Sequence, residues 1–365
     1  MIVQFGSINL QSNFTPCCSY LSLLQRCEPF RKLCIQSRDK QPACRYNLAM
    51  QTKPLVSIIT PSFNQAAFLE QTMRSVLEQN YPNIEYWVID GGSDDGSVEI
   101  IQKYAHQLTG WLSEKDRGQA DAVNKGFARA TGAIVGWLNS DDLYFPGAIQ
   151  GAVEAFEKHP QASFVFSDVE SIDAKGNGFH LMHYGDYKLA DLMSFYIIGQ
   201  PGVFMRRDTL EQAGHLDVSY DYLLDVQLWL KMAAIAEPFY VPGQVWAAAR
   251  MHENAKNAAQ ASEFGPEAFR LAKWICEDPR FYPLSAQNFN NIWAGAYRFD
   301  ASYLVDAKKY PAALRSYKQM YRYKPSGFPK TFRKVLFAML GAFGLDKVRG
   351  VYEKIRAARY ANQSG

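Results

Sequence analysis

The sequence predicts an α/β fold, a parallel sheet with helices on both faces. Three observations predict it. Short β-branched runs alternate with helical periodicities between residues 55 and 138. Each run ends in a polar segment rich in Ser, Asn or Asp. The chain has 365 residues, 48% of them hydrophobic, which is ample for one large domain or two ordinary ones.

The elements follow in order. "LVSIIT", 55–60, is a first strand, and Pro61-Ser62-Phe63-Asn64 breaks it. Over 66–79, Phe68, Leu69, Met73, Val76 and Leu77 recur at helical spacing, and Asn80-Tyr81-Pro82-Asn83 ends that helix. "IEYWVID", 84–90, is a second strand; the glycine-rich segment 91–97 is a turn whose Ser97 is expected to cap a helix over Val98–Tyr104. "GWLSE", 110–114, is a third strand, and 119–130 is a helix closed by Thr131-Gly132. The run 133–138 is a fourth strand and stops at Asn139, just before Asp141 and Asp142.

Sheets of this kind bind ligands beyond the carboxyl ends of their strands. The segments there are Pro61–Asn64, Asp90–Ser97, Ser113–Gly118 and Asn139–Asp142. All are polar, and three contain aspartate. Asp141 and Asp142 repel each other and are costly to desolvate, so a cation is expected at them. The first strand is not followed by G-x-G-x-x-G, and the Walker lysine motif is absent. Phosphate is therefore not expected at a helix N-terminus in the dehydrogenase manner. A Mg or Mn ion held by the two carboxylates and bridging to a diphosphate is the natural substitute.

Three stretches, "VSIITPSFNQAAFLEQTMRSVLEQNYPNIEYWVIDGGSDDGS", "SEKDRGQADAVNKGF" and "GWLNSDD", resemble the family 2 glycosyltransferases with the GT-A fold. The likeness covers about residues 54–255. It implies a GT-A type mostly parallel sheet flanked by helices, and an inverting transferase. It also implies that Pro61, Ser62 and Asn64 cradle the nucleotide and that Asp90 contacts its base. Taken alone, Asp90 also suits a turn residue holding its own loop. "DRGQADAVNKG" resembles a helix beneath the sugar nucleotide. There Arg117 would pair with a phosphate or the base, and Asp121 and Asn124 would face the donor. Asp121 equally suits a first-turn helix carboxylate.

The D-x-D metal motif of the family reads N-S-D-D here, with Asn139 first. Which of Asp141 and Asp142 binds the ion, and which contacts the ribose, stays open. The segment 199–233 resembles the acceptor side and places Asp225 as general base, with Asp217 and Asp221 as alternatives. Asp225 also suits a helix cap. "ARMHENAKN", 249–257, resembles a late family loop and offers His252 as a further metal or diphosphate ligand. The Q-x-x-R-W motif of processive members is missing, which favours addition of a single sugar. The implied partners are a nucleotide-diphospho-sugar, UDP-linked, and a glycan or lipid-linked acceptor. Two rivals remain. A nucleotidyltransferase would want a basic, glycine-rich loop where P-S-F-N stands. A non-catalytic sugar-nucleotide or glycan-binding protein would not need Asp90, Asp141, Asp142 and Asp225 together.

The expected domains are a poorly structured leader or upstream extension over 1–49, a GT-A domain over 50–258 and a helical accessory region over 259–365. "PAALRSYKQMYRYKP" in that region faintly resembles a single tetratricopeptide hairpin, which is not an array. Five of the six cysteines, Cys17, Cys18, Cys27, Cys34 and Cys44, lie in the leader without the paired spacing of a metal site. A net charge of +3 gives no reason to expect nucleic acid. No apolar run reaches the roughly 18 residues of a membrane span. "VLFAMLGAFGL", 335–345, has basic flanks. It suits an interfacial helix on an anionic membrane surface, with contact through 330–359, and equally an ordinary packed helix. The family setting is cytoplasmic, peripheral at the inner face of the cell membrane.

Overall fold

The computed structural model describes residues 53–253 and 255–345, with 347, 350 and 351. The leader with its cysteine cluster, and Arg349, Lys354, Arg356 and Arg359 of the expected membrane contact over 330–359, lie outside the described residues.

The strands are β1 (Val56–Ser62), β2 (Ile84–Asp90), β3 (Gly110–Ser113), β4 (Ile134–Trp137), β5 (Leu143–Tyr144), β6 (Phe164–Ile172), β7 (Gly178–Met182), β8 (Val203–Arg206) and β9 (Phe239–Arg250). The helices before residue 260 are α1 (Ala66–Leu77), α2 (Ser97–Tyr104), α3 (Gln119–Phe127), α4 (Ala148–Lys158), α5 (Leu189–Met193), α6 (Arg207–Ala213), α7 (Leu224–Ala233) and α8 (Lys256–Ala259). After them come α9 (Phe264–Glu277), α10 (Leu284–Gln287), α11 (Phe289–Asp306), α12 (Tyr310–Tyr323) and α13 (Phe328–Ala342).

One sheet runs in the order β3-β2-β1-β4-β8-β6-β9-β5, with β7 paired to β6. The first four strands are parallel, as the strand–helix alternation requires. Beyond them β8 is antiparallel to both β4 and β6, and β6 is parallel to β9. The parallel pattern therefore governs one half of the sheet, and the other half is mixed.

The turn after β2 departs from its expected capping. Ser97 is the first residue of α2, not its cap, and Gly96 precedes it at φ 99°. Asp95 does the capping instead. Its Oδ1 accepts from Ser97 N at 3.0 Å and its Oδ2 from Ala66 N at 2.9 Å. One carboxylate thus satisfies orphan donors of both α2 and α1.

The sheet has a core on each face. Leu69, Met73, Ile101, Ile149 and Val153 of α1, α2 and α4 fill one. Val123, Phe127, Leu228 and Trp229 of α3 and α7 fill the other. Phe264, Leu271, Ile292 and Ala296 belong to that second core as well. The helices α9 and α11 therefore pack into the sheet domain itself. A smaller cluster, with Ala313, Tyr317, Met320, Val335 and Ala338, joins α12 and α13 to α11. Close approach is built in at Gly126: a Cβ there would lie 2.3 Å from Ile59 Cγ2, so only glycine lets α3 sit this near β1.

Candidate functional site

A cleft of about 2100 Å³ opens at the carboxyl ends of β1 and β4. It is larger than a typical single-ligand pocket of roughly 300–1,000 Å³.

Asn139, where β4 stops, is a junction. Its Oδ1 accepts from Trp137 Nε1 at 2.9 Å and from Gln119 Nε2 at 2.8 Å. Its Nδ2 donates to Gln200 Oε1 at 3.1 Å and to Asp142 Oδ2 at 3.3 Å. These bonds separate the two aspartates. Asp142 turns inward and is buried, and its Oδ1 accepts from Arg250 N at 2.9 Å. Burial, reinforced by the Asp141 charge, pushes the Asp142 carboxyl well above its usual range. Asp141 is the more accessible of the pair, and its Oδ2 lies 3.1 Å from His252 Nε2.

The cation that the paired aspartates demand includes Arg250, at the end of β9, which sequence reasoning missed. Its Nε donates to the Asp141 carbonyl at 2.8 Å. Its other nitrogens reach the carbonyls of Asp173 (3.3 Å) and Ala174 (3.2 Å) and Gln71 Oε1 (2.9 Å). The guanidinium also sits 4.9 Å above the Phe68 ring. Among the described residues, no group of three His, Cys, Asp or Glu side chains forms a metal-holding set. Asp141 with His252 offers a carboxylate and an imidazole. That donor pair fits a hard divalent ion only if the remaining ligands come from a bound diphosphate and water.

At the end of β1, Pro61, Ser62 and Asn64 line the cleft. The Ser62 hydroxyl is buried without a hydrogen-bond partner among the described residues. Asp90 lies under the loop, outside the lining. It accepts from Gly92 N (3.0 Å), Ser93 N (2.9 Å), Ser93 Oγ (2.5 Å) and Ser113 Oγ (2.8 Å). It thereby shapes the turn that presents Gly91 and Gly92 to the cleft.

The α3 segment brings a different set of residues to the cleft than expected. Asp116, Gly118, Gln119 and Ala122 line it, whereas Arg117, Asp121 and Asn124 do not. Arg117 Nη2 pairs with Asp121 Oδ1 at 2.7 Å, and that bond holds the Asp121 carboxyl below its usual range. Asn124 clamps the backbone of Leu216, donating to its carbonyl at 2.9 Å and accepting from its N–H at 2.9 Å. Residues 119 and 122 share one helical face; 121 and 124 share another. Asn124→Ala should therefore cost about 1–3 kcal/mol of stability, read by thermal melting. Nucleotide binding by the folded variant should stay unchanged.

Asp225 lies in the first turn of α7 and lines the cleft. It does not cap the helix. Glu267 of α9 holds the turn just before the helix, accepting from the N–H groups of Asp221 (2.8 Å), Tyr222 (2.9 Å) and Leu223 (2.9 Å). The Asp225 carboxyl accepts from Val226 N at 2.8 Å, and burial lifts its pKa to about 6. Of the alternatives, Asp221 lines the cleft, while Asp217 holds its own turn through Ser219 N at 2.9 Å. Lys256, also missed from sequence, donates to Gln119 Oε1 and the Asp221 carbonyl, each at 3.0 Å, and burial lowers its pKa.

The sequence pattern described as Glycosyl transferase family 2 matches residues 57–212. TuaG of Bacillus subtilis, described as a teichuronic acid biosynthesis glycosyltransferase, is 31% identical over 186 residues, covering 49% of this chain and 72% of TuaG. The chain belongs to glycosyl transferase family 2. An uncharacterized glycosyltransferase of Rickettsia typhi is 28% identical to this family 2 chain over 214 residues, 55% of this chain and 65% of the relative. The match thus spans just under two thirds of that relative's length. Among solved structures, the mannosyltransferase PcManGT of Pyrobaculum calidifontis, in complex with GDP-Man and Mn2+, superposes with a TM-score of 0.53 at 21% identity, over 81% of this chain and 88% of PcManGT. TarS of S. aureus gives 0.55 at 15% identity, over 80% and 54%. Both share the fold of the family 2 chain. No helix among its described residues is long and apolar enough to cross a membrane.

Proposed function

We propose that this chain is an inverting, non-processive glycosyltransferase. It moves one sugar from a nucleotide-diphospho-sugar, UDP-linked, to a glycan or lipid-linked acceptor at the cytoplasmic face of the membrane. The reading is carried by Asp225, a carboxyl lifted to about 6 in the wall of the cleft that Asp141 also lines. The acceptor hydroxyl attacks the anomeric carbon as the bond to the diphosphate oxygen breaks. Asp225 accepts the hydroxyl proton, and the diphosphate leaves with the bonding pair. A general base is most useful with a pKa near the working pH, and burial moves Asp225 in that direction.

Pro61, Ser62, Asn64 and the turn held by Asp90 would hold the nucleotide. Arg117 and Asp121 would support this side from behind, and Asn124 would fix the backbone at Leu216. A Mn or Mg ion would be held by Asp141 with His252, while Asp142, facing inward, would fix the Asp141 loop. Bound there, the ion supplies Lewis-acid stabilisation of the leaving diphosphate. The Mn2+ and GDP-Man of PcManGT support the ion and the diphosphate but not the uridine base.

The test is calorimetric titration of UDP and GDP with Mn, and again with EDTA. UDP should bind with Mn, and EDTA or Asp141→Ala should weaken it at least tenfold. Absence of binding by either nucleotide in the folded protein would overturn the donor site. Tighter binding of GDP would correct the base alone.

A further inference from the structure

The last helical hairpin carries two features that the transfer reading does not use. Between Ala307 and Leu345 the sequence has nine Lys or Arg and no Asp or Glu. The hairpin also exposes an apolar stripe. Phe332, Leu336, Met339 and Phe343 recur at intervals of four, three and four, which places them on one face of α13 and its C-terminal turn. All four are exposed, Phe343 to 84%, and Leu345 extends the exposed apolar surface. The opposite side of α13, with Val335 and Ala338, packs on α11 and α12. Helix packing therefore explains one side of the apolar sequence and leaves the other at the surface.

The hairpin also borders the cleft. Lys308 and Tyr310, at the turn from α11 into α12, line it, and so do Lys347 and Gly350 beyond α13. Gly341 of α13 fits against Tyr310 so closely that a Cβ would lie 2.5 Å from the ring. The exposed stripe and the cleft rim thus belong to one packed unit.

We propose that α12 and α13 form an interfacial docking face for an anionic lipid bilayer, and that the cleft rim at Lys308 and Lys347 lies against that bilayer. The acceptor would then be a membrane-anchored molecule that enters the cleft from the lipid surface. Charge complementarity selects this occupant. A segment with nine cations and no acid is attracted to anionic headgroups while its apolar stripe enters the acyl boundary. The same charge opposes pairing with a second copy of this face. Docking needs neither donor nor Asp225, so it stands or fails separately from the transfer chemistry.

The experiment is flotation of the full chain with vesicles of phosphatidylglycerol and phosphatidylcholine, or of phosphatidylcholine alone. The protein should float with the anionic vesicles, at least tenfold less with the neutral ones, and less as salt rises. The variant L336E/M339E/F343E changes exposed positions only and should keep the wild-type melt while losing binding at least tenfold. A second variant, K309Q/R315Q/K318Q, should weaken binding to anionic vesicles alone. Lysine acylation read by mass spectrometry should be at least threefold slower at Lys308 and Lys347 on vesicles. Lys158, on the opposite face of the sheet, should be unaffected. Equal flotation of wild type and the glutamate variant would overturn the docking face. So would a wild-type dimer that the glutamate variant converts to monomer without any vesicle binding. Unprotected Lys308 and Lys347 on bound vesicles would overturn the placement of the rim.

Discussion

Asp225→Asn should lower kcat by roughly 10²–10⁴-fold and leave nucleotide binding intact. The wild-type rate should rise through pH about 6 and level off above it, because only the ionised carboxylate accepts a proton. The variant should lose that limb. Stability should move the other way. The folded pKa of about 6 lies above the ordinary 3.8, so folding binds the Asp225 proton more tightly. That contribution is fully present below about pH 4 and is lost as pH rises through 6. At pH 8 the buried charge costs the folded state about 1–3 kcal/mol, and the amide does not carry it. The variant should therefore melt higher than wild type at pH 8, and the gap should narrow through pH 6 and close below about pH 4. A variant that keeps its rate would move the base elsewhere, with Asp221 next in the same cleft.

Arg250→Met should be the most destabilising single change near the site, by about 3 kcal/mol or more. It strips donors from the carbonyls of Asp141, Asp173 and Ala174 and from Gln71, all gathered around one guanidinium. It also removes the positive charge beside the inward-facing Asp142 carboxyl. Methionine keeps most of the apolar stem, so packing loss is small. Arg250→Lys keeps the charge but cannot span those acceptors, and should fall between the two. Chemical denaturation measures the stability, and Mn-dependent nucleotide titration of the folded variants measures the loop. A Met variant as stable as wild type would mean that β9 pairing alone holds the Asp141 loop.

The first half of the fold was legible because its signals are local. β1 to β4 are short apolar runs, each closed by a polar loop, and each alternates with a helix of clear period. The junction at Asn139, Asp141 and Asp142 was legible for the same reason, since an apolar strand feeding two carboxylates is visible within ten residues. Helical phase decides which residues of α3 reach the cleft. The motif around α3 was found, but Asp121 and Asn124 face Arg117 and Leu216, whereas Gln119 and Ala122 face the cleft. Arg250 was out of reach because its partners, at positions 71, 141, 173 and 174, are distant in sequence. The amphipathic pattern of α9 and α11 identified helices but not the core that receives them. Only packing reveals that Phe264 and Ile292 share a core with Trp229.

The Glu267 clamp on the turn before α7 has a consequence for the newborn chain on the ribosome. Asp225 is translated before the carboxylate that holds the turn ahead of its helix and before Phe264, Phe299 and Tyr303, which help wall its side of the cleft. The strands and loops on the nucleotide side precede all of them. A nascent chain can therefore assemble its nucleotide half while the acid at 225 is still bathed in water and titrates as an ordinary aspartate. Its burial waits for α9 and α11, which are translated after every strand of the sheet.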